Sequence, residues 1–175
     1  MSLLMLLSLT DVFVPAEHLI GERGRGLDVM LAGLNGGRIG IAAQATGIAE
    51  ACLDETISYA RQREQFGRPI GTFQAVADMV AQSAVDLEAA RVLVWRAAAS
   101  VDSGDFSRSA SSMAKLYASE AANRIAYRAV QVHGGKGYVN ECRVEQLYRD
   151  ARVTTIYEGT SEIQRIVIAR ELAGS

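Results

Sequence analysis

Proline occurs only twice in the 175 residues, cysteine and histidine twice each, and tryptophan once. With so little proline, long stretches are free to continue as helix, and the abundance of alanine, leucine, isoleucine and valine favours long helices over sheet. Cys52 and Cys142 lack metal-ligand spacing. Two isolated thiols in a helical chain indicate a reducing compartment, with a disulfide between them left open. His18 and His133 lie far apart and neither belongs to a Glu-x-x-His pattern, which removes the di-metal carboxylate bundle, so no metal site is expected. A formal net charge of -2 without a basic block argues against a nucleic-acid partner. No apolar run reaches the roughly 20 residues needed to cross a bilayer. The apolar start, Met1 to Leu7, has neither a basic n-region nor a small-residue cleavage site. It does not read as a signal peptide, and its first residues read as an expression scar. Among the 18 basic residues only Lys115 and Lys136 are lysine, a bias that fits a GC-rich bacterial gene.

What remains is one domain's length, enough for a hydrophobic core. Thr10-Asp11-Val12-Phe13-Val14-Pro15-Ala16-Glu17 predicts a short strand ended by proline, with nothing in the chain to pair with. Residues 27–62 follow a helical pattern, with Ile41, Ala45, Ile48, Cys52, Thr56 and Tyr59 on one face. Gly33, Gly36, Gly37 and Gly40 cluster near its start, where they weaken the helix but permit close approach. A second helix is expected over 72–100, capped by Thr72, with Phe73, Val76, Val80, Leu87, Val94 and Val101 on its apolar face and Ala84 and Ala90 near the gaps. After the break at Asp102-Ser103-Gly104-Asp105, a third spans 107–132 with Ala110, Met113, Tyr117, Ala121, Ile125 and Ala129 in its stripe. Trp95 and the tyrosines fit core or interface better than a cofactor platform. A short helix over 144–150 and a last one to about 172 complete the chain. Long helices joined by short turns make antiparallel neighbours, so the expected fold is all-α, an antiparallel up-and-down four-helix bundle.

Three places carry possible chemistry. Glu158 stands between apolar Ile156 and Tyr157 and the helix-start signal Gly159-Thr160-Ser161. There a helix dipole favours its charge and burial opposes it, which suits either a general base or a plain helix-start acid. Arg61, Arg63 and Arg68 surround a turn closed by Gly67 and Pro69. They make an anion site or a solvated helix end. Gly134-Gly135-Lys136-Gly137 exposes backbone N–H groups to which a phosphate can come close, but no strand precedes it, so it is not a dinucleotide fingerprint.

The string Tyr157-Glu158-Gly159-Thr160-Ser161-Glu162-Ile163-Gln164-Arg165, preceded by Tyr148-Arg149-Asp150-Ala151-Arg152, closely resembles the C-terminal signature of acyl-CoA dehydrogenases, specifically the short-chain (butyryl-CoA) branch. Motifs similar to the family's run in order from Asp11 to Leu172. The resemblance implies that Glu158 removes the α-proton of an acyl-CoA while a β-hydride passes to FAD. It places Tyr157, Thr160 and Glu162 beside the cofactor and Gly159 on the substrate side. Arg38 matches a substrate-side arginine, and Asn35 stands where relatives often carry aspartate. Gly37 occupies the position at which other branches place their catalytic glutamate, so glycine there together with Glu158 marks the short- and medium-chain arrangement. By the same resemblance Arg63, with Gln65 and Phe66 beside it, reaches the FAD pyrophosphate of a neighbouring subunit, and Gln131 and Gly135 touch the adenosine-diphosphate part.

Asp11-Val12-Phe13-Val14-Pro15 is similar to the family's exit from a middle β-domain. Residues 1–22 are therefore expected to be an expression scar plus the remnant and linker of a β-domain, and 23–175 the C-terminal helical bundle domain. The resemblance further implies an electron-transfer flavoprotein as acceptor, a homo-oligomer (dimer or tetramer) built through the bundle, and a bacterial cytoplasmic location. The chain alone is expected neither to hold FAD tightly nor to turn over. A related acyl-CoA oxidase or other flavoenzyme, a non-catalytic helical oligomerisation module and a purely structural bundle are the alternatives. Chain length and branching of the acyl group stay open.

Overall fold

The computed structural model describes residues 6–174; Met1–Met5, part of the expected scar, lie outside them. Five helices carry the fold: α1 (Gly26–Gln62), α2 (Gln74–Asp102), α3 (Arg108–His133), α4 (Arg143–Val153) and α5 (Ser161–Ala173). Between α1 and α2 the chain makes a small hairpin, β1 (Glu64–Gln65) against β2 (Arg68–Pro69), antiparallel with Glu64 opposite Pro69. Phe66 (φ 54°) and Gly67 (φ 77°) form its two-residue turn, the paired positive-φ geometry that matches strand twist.

Cross-contacts give the helix directions. Arg38 and Tyr59 of α1 meet Ser112 and His133 of α3, so α1 and α3 run parallel. Asp86 binds Arg124 and Arg128 while Arg96 reaches Met113, so α2 runs the opposite way. Asn123 of α3 holds the Ala151 carbonyl at the end of α4, Glu120 accepts from Ser161 at the start of α5, and Ser107 meets Glu171 near its end. Helices α4 and α5 thus follow one another down α3 as two halves of one strut, and the bundle has its expected four-fold layout with the fourth member broken at 154–160.

The core is built mainly of small residues. Ala42, Ala45 and Ala49 of α1 pack with Leu87, Ala90 and Val94 of α2 and with Ala114, Ala118, Ala121, Ile125 and Ala129 of α3. Alanine and serine on α3 let neighbours approach closely, which maximises dispersion contact at the helix backbones. The seam on α1 is consequently rotated from the expected one: Ile41, Ile48 and Tyr59 are half-buried, and Ala42, Ala49, Leu53 and Ala60 take the centre. On α2, Ala84 and Val101 are exposed, and Trp95 is 63% exposed and outside the core.

Two local expectations differ. Residues 6–15 form no strand; the chain there is irregular, with a bend at Asp11 (φ 53°) and then a 3-10 turn at Ala16–His18, and nothing there is fully buried. The alternating apolar pattern lacks a neighbouring ladder among the described residues, and a strand without one has unpaired backbone groups. Helix α2 begins at Gln74 with Phe73 at its N-cap and no side-chain cap; Thr72 instead donates to the Pro69 carbonyl, tightening the preceding turn. Ser107 does cap α3, accepting from the Ala110 amide at 3.2 Å.

Candidate active site at the broken strut

The break in the fourth strut is made by two residues with positive φ, Glu158 at 54° and Gly159 at 90°. For glycine this conformation is easy; for glutamate it is strained, and such strain survives only where surrounding contacts over-determine it. Those contacts are visible. Lys115 Nζ, on α3, donates to the Gly159 carbonyl at 2.7 Å. Gln164 Nε2, on α5, donates to the carbonyls of both Glu158 (3.2 Å) and Gly159 (2.9 Å). Lys115 and Gln164 are both completely buried. Thr160 caps α5 by accepting from the Ile163 amide, and the Tyr157 hydroxyl donates to Gln44 Oε1 at 2.7 Å.

The Glu158 carboxylate points at α1. Its Oε2 is buried without a hydrogen-bond partner, and it lies where a Cβ on residue 37 would stand only 2.5 Å away. Glycine at position 37 is what makes room for it. Arg38, next in sequence, is 6% exposed; its Nη1 donates to Asn35 Oδ1 at 3.1 Å and Ser112 Oγ at 3.4 Å, while its Nε has no partner. Burial pulls the Arg38 guanidinium below its ordinary value, and the nearby Glu158 charge works the other way. Burial likewise brings the Lys115 ammonium down to about 8, opposed first by Glu120. A carboxylate and two largely buried cations therefore act on one another's charge, and burial makes such interactions stronger than in water.

Asn35 and Arg38 also line a cavity of about 960 Å³ with Leu31, Phe106 and Arg108. Thr160 and Glu162 border a smaller cleft of about 370 Å³ on the other side of the break, with Arg152 and Asn123. Glu162 is held below the usual carboxylate range, first by its own backbone N–H and then by the Thr160 hydroxyl.

The second expected cluster lies at the opposite end of α1. Arg63, Gln65 and Gly135 line one cleft of about 450 Å³ together with His133, Gly134 and Lys136. Its floor is the Tyr59 ring, stacked on His133 at 4.2 Å with the Lys136 ammonium over it. Phe66 is 90% exposed at the hairpin tip and does not line the cleft. Gln131 is also exposed and outside it; its carbonyl accepts the Gly134 amide that ends α3. At 1.5 Å per helical residue the two clusters are roughly 40 Å apart along α1.

Sequence reasoning did not single out Lys115, Gln164, Ser112 or Gln44. A lone lysine in an alanine- and serine-rich helix reads as solvated, and the only signal was its rarity in an arginine-dominated chain. Among the described residues no group of His, Cys, Asp and Glu side chains is arranged to hold a metal ion, and no helix is long and apolar enough to cross a membrane.

Comparison with known proteins gives a consistent result. Residues 24–173 match the family model described as acyl-CoA dehydrogenase, C-terminal domain. The chain is similar to the caffeyl-CoA reductase-Etf complex subunit CarC of Acetobacterium woodii, 50% identical over 159 residues covering 91% of this chain and 42% of that protein. It is 50% identical over 165 residues to the mitochondrial short-chain specific acyl-CoA dehydrogenase of Rattus norvegicus, covering 94% of this chain and 40% of the relative. The butyryl-CoA dehydrogenase structure from Megasphaera elsdenii superimposes with a TM-score of 0.91 at 45% identity, over 93% of this chain and 43% of that one. The chain thus spans 40–42% of the length of these curated relatives.

Proposed function

The chain belongs to the acyl-CoA dehydrogenase family as its C-terminal domain, and from that premise we propose that it supplies the general base of an FAD-dependent dehydrogenation of short-chain acyl-CoA thioesters. The observation that carries this reading is the Glu158 carboxylate, held on a strained turn with one buried, unpartnered oxygen against Gly37. An acceptor oxygen in that state is free to take a proton from carbon, and a positioned base contributes about 10²–10⁴ in rate. Glu158 Oε2 accepts the α-proton, the α-carbon's electron pair forms the new double bond, and the β-hydrogen departs with its pair. FAD, when bound, supplies the acceptor for that hydride.

The residues present fit such a ligand set. At the far end of α1, Arg63 and Lys136 give cationic donors for a diphosphate. Gly135 leaves open space where a Cβ would stand, with no atom within 4 Å. Gln131 and Phe66 border the same end, while Tyr157, Gly159, Thr160 and Glu162 lie on the base's side. Because the two ends are separated by roughly 40 Å of helix, the nucleotide-end cleft serves the cofactor of a neighbouring copy rather than this chain's own base. That reading makes the protein a homo-oligomer, dimer or tetramer. Asn35 and Arg38, in the 960 Å³ cavity with apolar Leu31 and Phe106, form the acyl-thioester side.

We read residues 1–22 as lying outside the bundle domain of 23–175, in keeping with the exposure of 6–22 and a family match that begins at 24. Because so little of the relatives' length is covered, the chain alone is proposed neither to hold FAD tightly nor to turn over; stoichiometric FAD with dye reduction by it would overturn this. Two free cysteines support a reducing, cytoplasmic setting, the scarcity of lysine among the basic residues supports a bacterial one, and the Etf complex of the Acetobacterium relative supports an electron-transfer flavoprotein partner. That relative's description as a reductase also favours a second reading, the same site run toward reduction of an enoyl-CoA.

The test is anaerobic mixing of the full-length protein carrying this chain with butyryl-CoA, for wild type and Glu158→Gln. Bleaching of the flavin lost in the variant, with FAD still bound, supports the proposal. Bleaching in both moves the base elsewhere. Reduction of an enoyl-CoA by reduced electron-transfer flavoprotein, without butyryl-CoA oxidation, selects the second reading. No reaction in either direction selects a non-catalytic module.

A further inference from the structure

We infer that Lys115 and Gln164 are positioning residues for the Glu158 carboxylate, a two-sided clamp that holds the strained Glu158–Gly159 turn through its carbonyl oxygens. This rests on the reading of Glu158 as the base, but the clamp itself is a matter of geometry.

A turn at φ 54° and 90° is not one that the chain adopts unaided at glutamate. Lys115 reaches it from α3 and Gln164 from α5, converging on the Gly159 carbonyl at 2.7 and 2.9 Å, with Gln164 also on the Glu158 carbonyl at 3.2 Å. Both side chains are fully buried. An ammonium sealed from water is retained only where fixed dipoles and opposite charges replace its hydration. Here the replacement is the carbonyl of the turn, with Glu120 on its own helix, Glu158 in the loop and Glu162 on α5 attracting it, against repulsion from Arg38 on α1. Gln164 approaches so closely that a Cβ on residue 159 would stand 2.6 Å from its Nε2, so glycine there admits the clamp as well as the φ. The carboxylate's aim at Gly37 is thereby set by two side chains that never touch it. An error of about 1 Å in such a group can cost about 10²-fold in rate.

The experiment uses the full-length holoprotein carrying Lys115→Met, Gln164→Met and, as reference, Glu158→Gln. Amide hydrogen exchange of the peptide spanning 156–162 is the direct readout. Expected in Lys115→Met is a rise of at least about tenfold there, the loss of one hydrogen bond from a charged donor, while α1 and α2 exchange as in wild type. Gln164→Met loosens the same peptide and serves where Lys115→Met does not accumulate. Kinetically, kcat falls by at least about tenfold with KM within about threefold. A merely structural role would lower folded yield and leave the kcat of the folded enzyme in place. Unchanged exchange at 156–162 in both Met variants overturns the clamp whatever the rates do. A loosened turn in a series where Glu158→Gln stays active removes the base and, with it, the catalytic meaning of the clamp. A loosened turn with wild-type kcat also overturns the positioning role.

Discussion

Gly37 and Glu158 are set so close that a side chain on the first forbids the observed position of the second: the missing Cβ would lie 2.5 Å from Oε2 and 2.9 Å from the carboxyl carbon. The clash is with the far end of a flexible side chain, so the bundle can keep its shape while the carboxylate moves.

Gly37→Ala should therefore separate stability from activity. Alanine is better than glycine inside a helix by about 1 kcal/mol, so the thermal midpoint should hold or rise. The displaced carboxylate should lose about 10²-fold in kcat for dehydrogenation by the full-length protein. Parallel melting and stopped-flow measurements check both halves; an unstable variant, or a fully active one, would contradict the packing described.

Asp86 is the electrostatic tie between α2 and α3. It is 5% exposed and binds Arg128 at 2.7 Å and Arg124 at 3.1 Å. Burial on its own would raise its pKa, but the hydrogen bonds from the two arginines outweigh it and hold the carboxyl below the ordinary value. A carboxyl depressed on folding adds stability above its unfolded pKa near 4 and loses it as pH falls through the lower folded value. Asp86→Ala should cost about 3 kcal/mol at pH 7, and urea titrations should show the gap from wild type closing only below about pH 4.

The two thiols should differ in reactivity. Cys52 is fully buried and its pKa is pushed up to about 12, chiefly by burial, so almost none is thiolate at pH 8. Cys142 is partly accessible and is not disulfide-bonded. A chromogenic disulfide reagent should titrate one of this chain's two thiols in the folded state and the second only after unfolding.

Gly135→Ala tests the nucleotide end without disturbing the fold. A methyl group there meets no atom within 4 Å, so melting should be unchanged, whereas the open space is what a diphosphate would enter. FAD content of the purified full-length protein should fall by at least about tenfold, consistent with one displaced charge-assisted contact. Wild-type flavin content would remove Gly135 from the cofactor site.

Helix extents were legible because breakers mark them: Gly104, Gly134 and the Gly67–Pro69 turn stand within a residue or a few of the observed ends. The seam of α1 was not, since periodicity weights Ile41 and Ile48, whereas close packing on α3 selects Ala42 and Ala49. The strand over 10–17 failed because alternation describes a face and says nothing of a partner. Glu158 could be found from its motif and its local setting. Lys115 and Gln164 could not, because their work depends on a turn contributed 44 and 5 residues away.

The sealing of Lys115 has a chemical consequence for the protein's surface. Reagents that acylate amines, activated esters and thioesters alike, need a deprotonated nitrogen in contact with solvent. Of the chain's two lysines one has no exposed surface, so within this folded domain modification of side-chain amines falls on Lys136, poised over the Tyr59 ring. To acylating thioesters the domain therefore offers a single accessible side-chain amine.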